Sequence, residues 1–216
     1  MNEAEFTVTP ELLLRAYAAG VFPMSDGRND PEIHWVDPRL RGVLPLDRFH
    51  ISRSLGRRMR TASYSVTLNA DFIGVLDGCA DRQETWINAE IRRLYLQLAT
   101  LGHAHSLEIW QDAKLAGGVY GVILGTAFFG ESMFSTRTDG SKLALAHLVD
   151  HLRRCGFTLF DTQFITPHLS TLGAVEISRS AYRAALEQAL QRRADIHALP
   201  LDTDPYSVWQ RSTQTS

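Results

Sequence analysis

Apolar positions recur along this chain in two rhythms, near 3.6 residues in some stretches and near two in others. The helical rhythm begins at Thr9-Pro10-Glu11, which joins a capping hydroxyl, a proline suited to a first turn and an acid at the positive end. Leu12, Leu13, Ala16 and Ala19 continue it, and Gly20 ends it. Residues 21–47, rich in Pro, Gly and Asp, predict loops and short extended pieces. Helices are predicted over 52–60, 71–79 and 88–101, the last with Ile91, Leu94, Tyr95 and Leu98 on its apolar face. Between the first two of these, 64–68 alternates as a short strand.

After Gly102 the rhythm shortens. Residues 106–111, 115–124 and 126–135 read as strands divided by tight turns at Asp112-Ala113 and Gly125. A helix over 141–155, a strand over 159–165 and a helix over 178–194 follow, and 199–216 reads as a loose polar tail. Three strands, a helix, a strand and a helix predict an α+β fold, an acetyltransferase-like (GNAT) mixed sheet with helices packed on it. The expected division is a small N-terminal α/β domain over 1–80, a GNAT-like catalytic domain over 81–200 and a polar tail over 201–216.

Composition adds mostly exclusions. With 44% hydrophobic and 21% charged residues the chain is an ordinary globular one. It holds no run of 18 apolar residues, and its acidic, polar start does not resemble a secretory signal, so a cytoplasmic protein without a membrane span is expected. Cys79 and Cys155 fit no metal-ligand spacing and read as free thiols in a reducing compartment. The net charge of −2 argues against coating nucleic acid over the whole surface. Residues 48–70 nevertheless hold Arg48, Arg53, Arg57, Arg58 and Arg60 and no acid. Arg53, Arg57 and Arg60 fall on one helical face, and their planar forks suit phosphate; the alternative is a solvated face.

Two segments are candidates for chemistry. If 126–135 is a regular strand, Phe129, Glu131 and Met133 share a face, setting a carboxylate between apolar side chains, and Gly130 lets a ligand approach the backbone. The alternative is a solvent-facing acid on an edge strand. Asp161 and Gln163 share a face of a strand whose neighbours Leu159, Phe160, Phe164 and Ile165 are apolar. Such groups need partners, since an unsatisfied one costs about 1–3 kcal/mol; a purely structural network is the alternative. Trp86, before the helix carrying Tyr95, is placed either for packing or for stacking on a base. His147 and His151 lie at i, i+4 but lack the Glu and third ligand of a zinc motif, so no metal is expected. No P-loop, dinucleotide fingerprint or nucleophile elbow is present, which argues against ATP hydrolysis and an activated Ser.

Taken together, these segments resemble the leucyl/phenylalanyl-tRNA–protein transferases. The likeness is carried by G-V-F-P-M at 20–24, H-I-S-R at 50–53, T-W-I at 85–87, G-H-A-H-S at 102–106 and G-G-V-Y-G at 117–121. It continues through G-E-S-M-F-S at 130–135, Ser141-Lys142, Asp161-Thr162-Gln163 and H-L-S-T-L-G at 168–173. The resemblance implies transfer of leucine, phenylalanine or methionine from aminoacyl-tRNA to proteins beginning with Arg or Lys, marking them for degradation. Trp86 then matches the residue that meets the terminal adenosine, and Tyr95, Glu131, Asp161 and Gln163 the polar centre. Val119, Phe128, Gly130 and Met133 match the amino-acid pocket, and Arg53, Arg57, Arg58 and Arg60 the acceptor-arm region. One stretch departs: His34-Trp35-Val36 replaces the family's paired tryptophans, which leaves the role of Trp35 open.

An aminoacyl ester is already activated, so this chemistry requires no cofactor, metal or covalent nucleophile. Orientation of ester and amine supplies roughly 7–11 kcal/mol in favourable cases. The expected division of labour is that Asp161 orients Gln163, whose amide oxygen holds the attacking amine. Glu131 orients an amine or hydroxyl, and the proton leaves through Asp161, water or the ribose. A monomer is the default expectation. The rivals are an acetyl-CoA enzyme, for which 137–140 makes a poor phosphate cradle, and a non-catalytic RNA-binding module.

Overall fold

Thr9 accepts a hydrogen bond from the Leu12 amide and starts α1 (Pro10–Ala18) in the computed structural model, which describes residues 8–213. Gly20, at φ +82°, turns the chain into β1 (Phe22–Met24), which pairs with β2 (His34–Val36) in a small separate sheet. Next come β3 (Leu40–Val43), α2 (Arg53–Thr61), β4 (Ser65–Leu68), α3 (Phe72–Ala80) and α4 (Ala89–Thr100). Ser52, Asp71 and Asn88 cap these three helices, each accepting from an amide in the first turn.

β5 (Ala104–Gln111), β6 (Lys114–Leu124) and β7 (Ala127–Ser135) form an antiparallel meander. Its first turn has both Asp112 (φ 52°) and Ala113 (φ 56°) left-handed, a type I′ hairpin whose twist matches the strands. α5 (Gly140–Arg154) then crosses over to β8 (Leu159–Gln163), which lies parallel to β7. α6 (Pro167–Thr171), β9 (Val175–Ser178), α7 (Arg179–Leu190) and α8 (Pro205–Thr213) complete the described chain.

Among the described residues seven strands make one mixed sheet, ordered β4-β5-β6-β7-β8-β3-β9. One face packs on α1, α3, α4 and α7 through residues such as Leu13, Val75, Leu94 and Leu186. The other packs on α2, α5 and α8 through Met59, Leu148 and Val208.

Two expectations are corrected here. Of the expected N-terminal domain 1–80, the described part, 8–80, shares the main sheet: β4 forms one edge and β3 inserts between β8 and β9. The tail is not a loose appendage over 201–213. Val208 is buried, Arg211 pairs with Asp150 at 2.7 Å and Asp202 at 2.7 Å, and Arg60 stacks 4.5 Å above the Trp209 ring. Polar contacts dock this helix, and apolar periodicity does not register them. Residues 214–216 of the expected tail and the acidic start at 1–7 lie outside the described residues.

Candidate active site

The site arises where two parallel strands part. β7 and β8 pair only over 127–129 and 159–161, although both run further. Just beyond, β7 carries a bulge: Gly121 faces Gly130 and Tyr120 faces Ser132, leaving Glu131 as the extra residue. The bulge overturns the expected common face of Phe129, Glu131 and Met133. Phe129 stays with the α1/α4 core, whereas Met133 turns to the α5 side, across from Val119. Gly130 is needed because a Cβ there would collide with the Phe160 ring.

Between the parted strands opens a cleft of about 800 Å³. Glu131 and Gln163 both line it, and Val119, Met133, Leu145 and Phe160 supply an apolar section. Trp86 lines the wall beside Met24, its backbone carbonyl held by Ser25 Oγ at 2.8 Å and its ring edge-on to Tyr95 at 6.3 Å. Arg82 latches the loop after α3 to the bulge by donating to the Met133 carbonyl.

Glu131 is buried and accepts from three directions. Tyr17 Oη donates to Oε1 at 2.8 Å, Tyr95 Oη to Oε2 at 2.6 Å, and Gln163 Nε2 to Oε1 at 3.3 Å. Burial pushes its carboxyl up to about 7, against the pull of the Tyr95 and Tyr17 hydrogen bonds. Burial and then the Glu131 charge hold both phenols well above their ordinary range, so they remain donors. The bond to Glu131 also sets the Gln163 amide: Nε2 is engaged, which leaves Oε1 as the acceptor at the cleft.

Asp161 has no exposed surface. Arg41 grips it through Nε at 2.9 Å and Nη2 at 2.6 Å, Tyr182 Oη donates at 2.7 Å, and the Gln163 amide N–H donates at 2.8 Å. Of the three routes left open for the proton, Asp161, water or the ribose, the first does not fit this geometry, because the Asp161 oxygens are occupied and the side chain does not line the cleft. Two further residues expected at the site, Phe128 in the amino-acid pocket and Tyr95 in the polar centre, likewise do not line the cleft. Phe128 is in the core, edge-on to Phe160 at 4.9 Å, and Tyr95 touches Glu131 without lining the cleft.

Outside the cleft, Arg53 and Arg57 of α2 are exposed, Arg58 is half-buried, and Arg60 is exposed but stacked on Trp209. His105 is held by Asn69 and the Gly102 carbonyl, and His151 by the Ile196 carbonyl, both inside the fold. Sequence reading missed Tyr17, Arg41 and Tyr182. Arg41 did carry a signal, an arginine within the otherwise apolar run L-R-G-V.

Comparison with known proteins decides the family. A profile described as leucyl/phenylalanyl-tRNA protein transferase matches residues 43–187, and one described as the N-terminal domain of that transferase matches 7–39. The chain belongs to the leucyl/phenylalanyl-tRNA protein transferase family. A family member from Ruegeria pomeroyi is 63% identical over 210 residues, covering 97% of this chain and 100% of the relative. One from Cereibacter sphaeroides is 62% identical over 209 residues, 97% of this chain and 98% of the relative. The two matched ranges meet between residues 39 and 43, at β3. Among solved structures, FemX resembles this transferase-family chain in fold, with a TM-score of 0.51 at 11% identity, covering 77% of this chain and 66% of FemX.

Proposed function

We propose that this protein transfers leucine or phenylalanine, with methionine as a further donor, from aminoacyl-tRNA to the α-amino group of proteins beginning with Arg or Lys. The observation that carries the reading is that Glu131 and Gln163 meet over one cleft whose adjoining section is apolar. An aliphatic or aromatic side chain fits among Val119, Met133 and Leu145, whereas a charged one would be left unpaired. Gly130 keeps that section open by admitting the Phe160 ring. Trp86 stacks on the terminal adenine, and the Arg53, Arg57 and Arg58 guanidiniums take phosphates of the acceptor arm, with Arg60 as their braced neighbour. We assign the sheet to the acetyltransferase-like (GNAT) lineage on the splay of its parallel pair.

In the reaction the amine nitrogen attacks the ester carbonyl, the C–N bond forms and the bond to the ribose oxygen breaks. Gln163 Oε1 accepts an N–H of the amine and aims its lone pair. Glu131 takes the proton released and returns it to the departing ribose oxygen, so no net proton is consumed. Tyr17 and Tyr95 hold that carboxylate in place. Asp81, exposed at the cleft, is available to the cationic side chain of the acceptor.

The test is transfer of labelled leucine from its tRNA to peptides beginning with Arg, Lys or Gln, run beside acetyl-CoA as donor. Transfer to the first two from tRNA alone is expected. Gln163→Ala should slow the single-turnover rate roughly 100-fold. Wild-type transfer by both Gln163→Ala and Glu131→Ala would remove these residues from the reaction.

A further inference from the structure

Arg41, on β3 between β8 and the edge strand β9, is only 1% exposed, and none of the roles above uses it. All three guanidinium nitrogens donate hydrogen bonds. Besides the fork on Asp161, Nη1 donates to the Gly20 carbonyl at 2.9 Å and Nη2 reaches Tyr182 Oη at 3.2 Å. Its faces are covered by the Phe22 ring at 4.5 Å and the Tyr182 ring at 4.3 Å. A lysine would supply one donor point and no plane.

What this assembly holds is an unusual backbone. Gln163 is left-handed at φ 57°, and the Phe164 amide closes a three-residue turn on the Thr162 carbonyl at 2.6 Å. A residue with a side chain persists there only when its surroundings over-determine it. The contact that does so is Asp161 Oδ1 on the Gln163 amide, and Arg41 with Tyr182 fixes that carboxylate. Gly42 fits the same scheme, since a Cβ there would lie 2.6 Å from the Phe164 carbonyl carbon. Arg41 also reaches the opposite lip: Gly20 leads into β1, and Phe22 packs edge-on against Phe164 at 5.6 Å.

We propose that Arg41 and Tyr182 are positioning residues for the transfer step, acting through Asp161 to hold the Gln163 turn and tie it to the β1 lip. The inference rests on the reading that Gln163 holds the acceptor amine. It predicts losses in turnover and not in donor binding.

The experiment uses the full-length protein with Arg41→Met, Arg41→Lys and Tyr182→Phe. Leucyl-tRNA affinity is measured apart from single-turnover transfer at saturating tRNA. Tyr182→Phe, which keeps the Arg41–Asp161 pair, should lose roughly tenfold in rate, and the Arg41 variants that fold roughly 100-fold, with tRNA Kd held within about twofold. In a Gln163→Ala background, Tyr182→Phe should have no further effect, the coupling expected of groups acting as one unit. A wild-type rate for Tyr182→Phe beside a slow Gln163→Ala would overturn this inference alone. So would an equal loss in both backgrounds, or a loss explained entirely by Kd. Wild-type transfer by Gln163→Ala would overturn the reading beneath it as well.

Discussion

Glu131 is a carboxylate withdrawn from water, gripped by two phenols and an amide, and still open to the cleft. Burial raises its pKa to about 7, so its proton-accepting form accumulates as pH rises through that value. Single-turnover rates between about pH 5.5 and 8.5 should show an inflection near neutrality beside that of the acceptor amine, near 8. Glu131→Gln should abolish the lower inflection and keep the upper one; a retained lower inflection would assign it elsewhere. The same shift bears on folding. Its pKa is higher folded than unfolded, so the native state holds the extra proton and stability declines as pH rises from about 4.5 to about 7. Alternation in the sequence placed Asp161 and Gln163 on one side of a strand; in the structure Gln163 is left-handed and lines the cleft, whereas Asp161 is buried beneath it and accepts from the Gln163 backbone N–H. Alternation held from Phe129 to Glu131 and failed at Met133, because a bulge shifts parity by one residue and leaves no mark in hydropathy.

At the level of elements, the helices with strong caps and apolar stripes were legible, and so was the three-strand meander. The short ones were not. β3, as short as the predicted β4, lies in a Pro-, Gly- and Asp-rich stretch that reads as loop, β9 runs straight into α7, and α8 is polar. Yet α8 braces the basic helix: a Cβ on Gly56 would lie 2.8 Å from Trp209 Nε1, so the two helices meet at a glycine. Trp209→Ala should therefore destabilise the protein by about 1–3 kcal/mol and lower Tm by roughly 3–8 °C. It should also free Arg60 from its stacking partner. Thermal unfolding followed by circular dichroism checks this; an unchanged Tm would mean that α8 is docked without contributing.

Over the whole molecule, opposite duties fall on different parts of one sheet. The α1/α4/α7 face supplies the buried polar centre, and the α2/α5/α8 face supplies the apolar pocket and the basic helix. A chain with net charge −2 places Arg53, Arg57, Arg58 and Arg60 on α2 with no acid among them, and the proposed reading docks the acceptor arm there. Affinity for tRNA should fall steeply with salt, and Arg53→Ala or Arg57→Ala should each lower the slope of log K against log salt by about one. Equal slopes in wild type and variants, measured by filter binding across a salt series, would move the tRNA site elsewhere.

The order of residues alone determined the caps, the amphipathic helices, the meander and the family, because each is written in local spacing or in short motifs. Which polar groups face one another was decided only by the tertiary structure. Tyr17 reaches Glu131 across 114 residues, and Arg41 reaches Asp161 across 120. Contacts of that range follow from strand order and from where the parallel pair separates, and hydrophobic periodicity encodes neither. The working arrangement of the site is thus a property of how the sheet is assembled: a bulge sends Met133 to the pocket side while Glu131 stays with the buried phenols, and a buried ion pair holds one glutamine in a backbone shape that it would not adopt unaided.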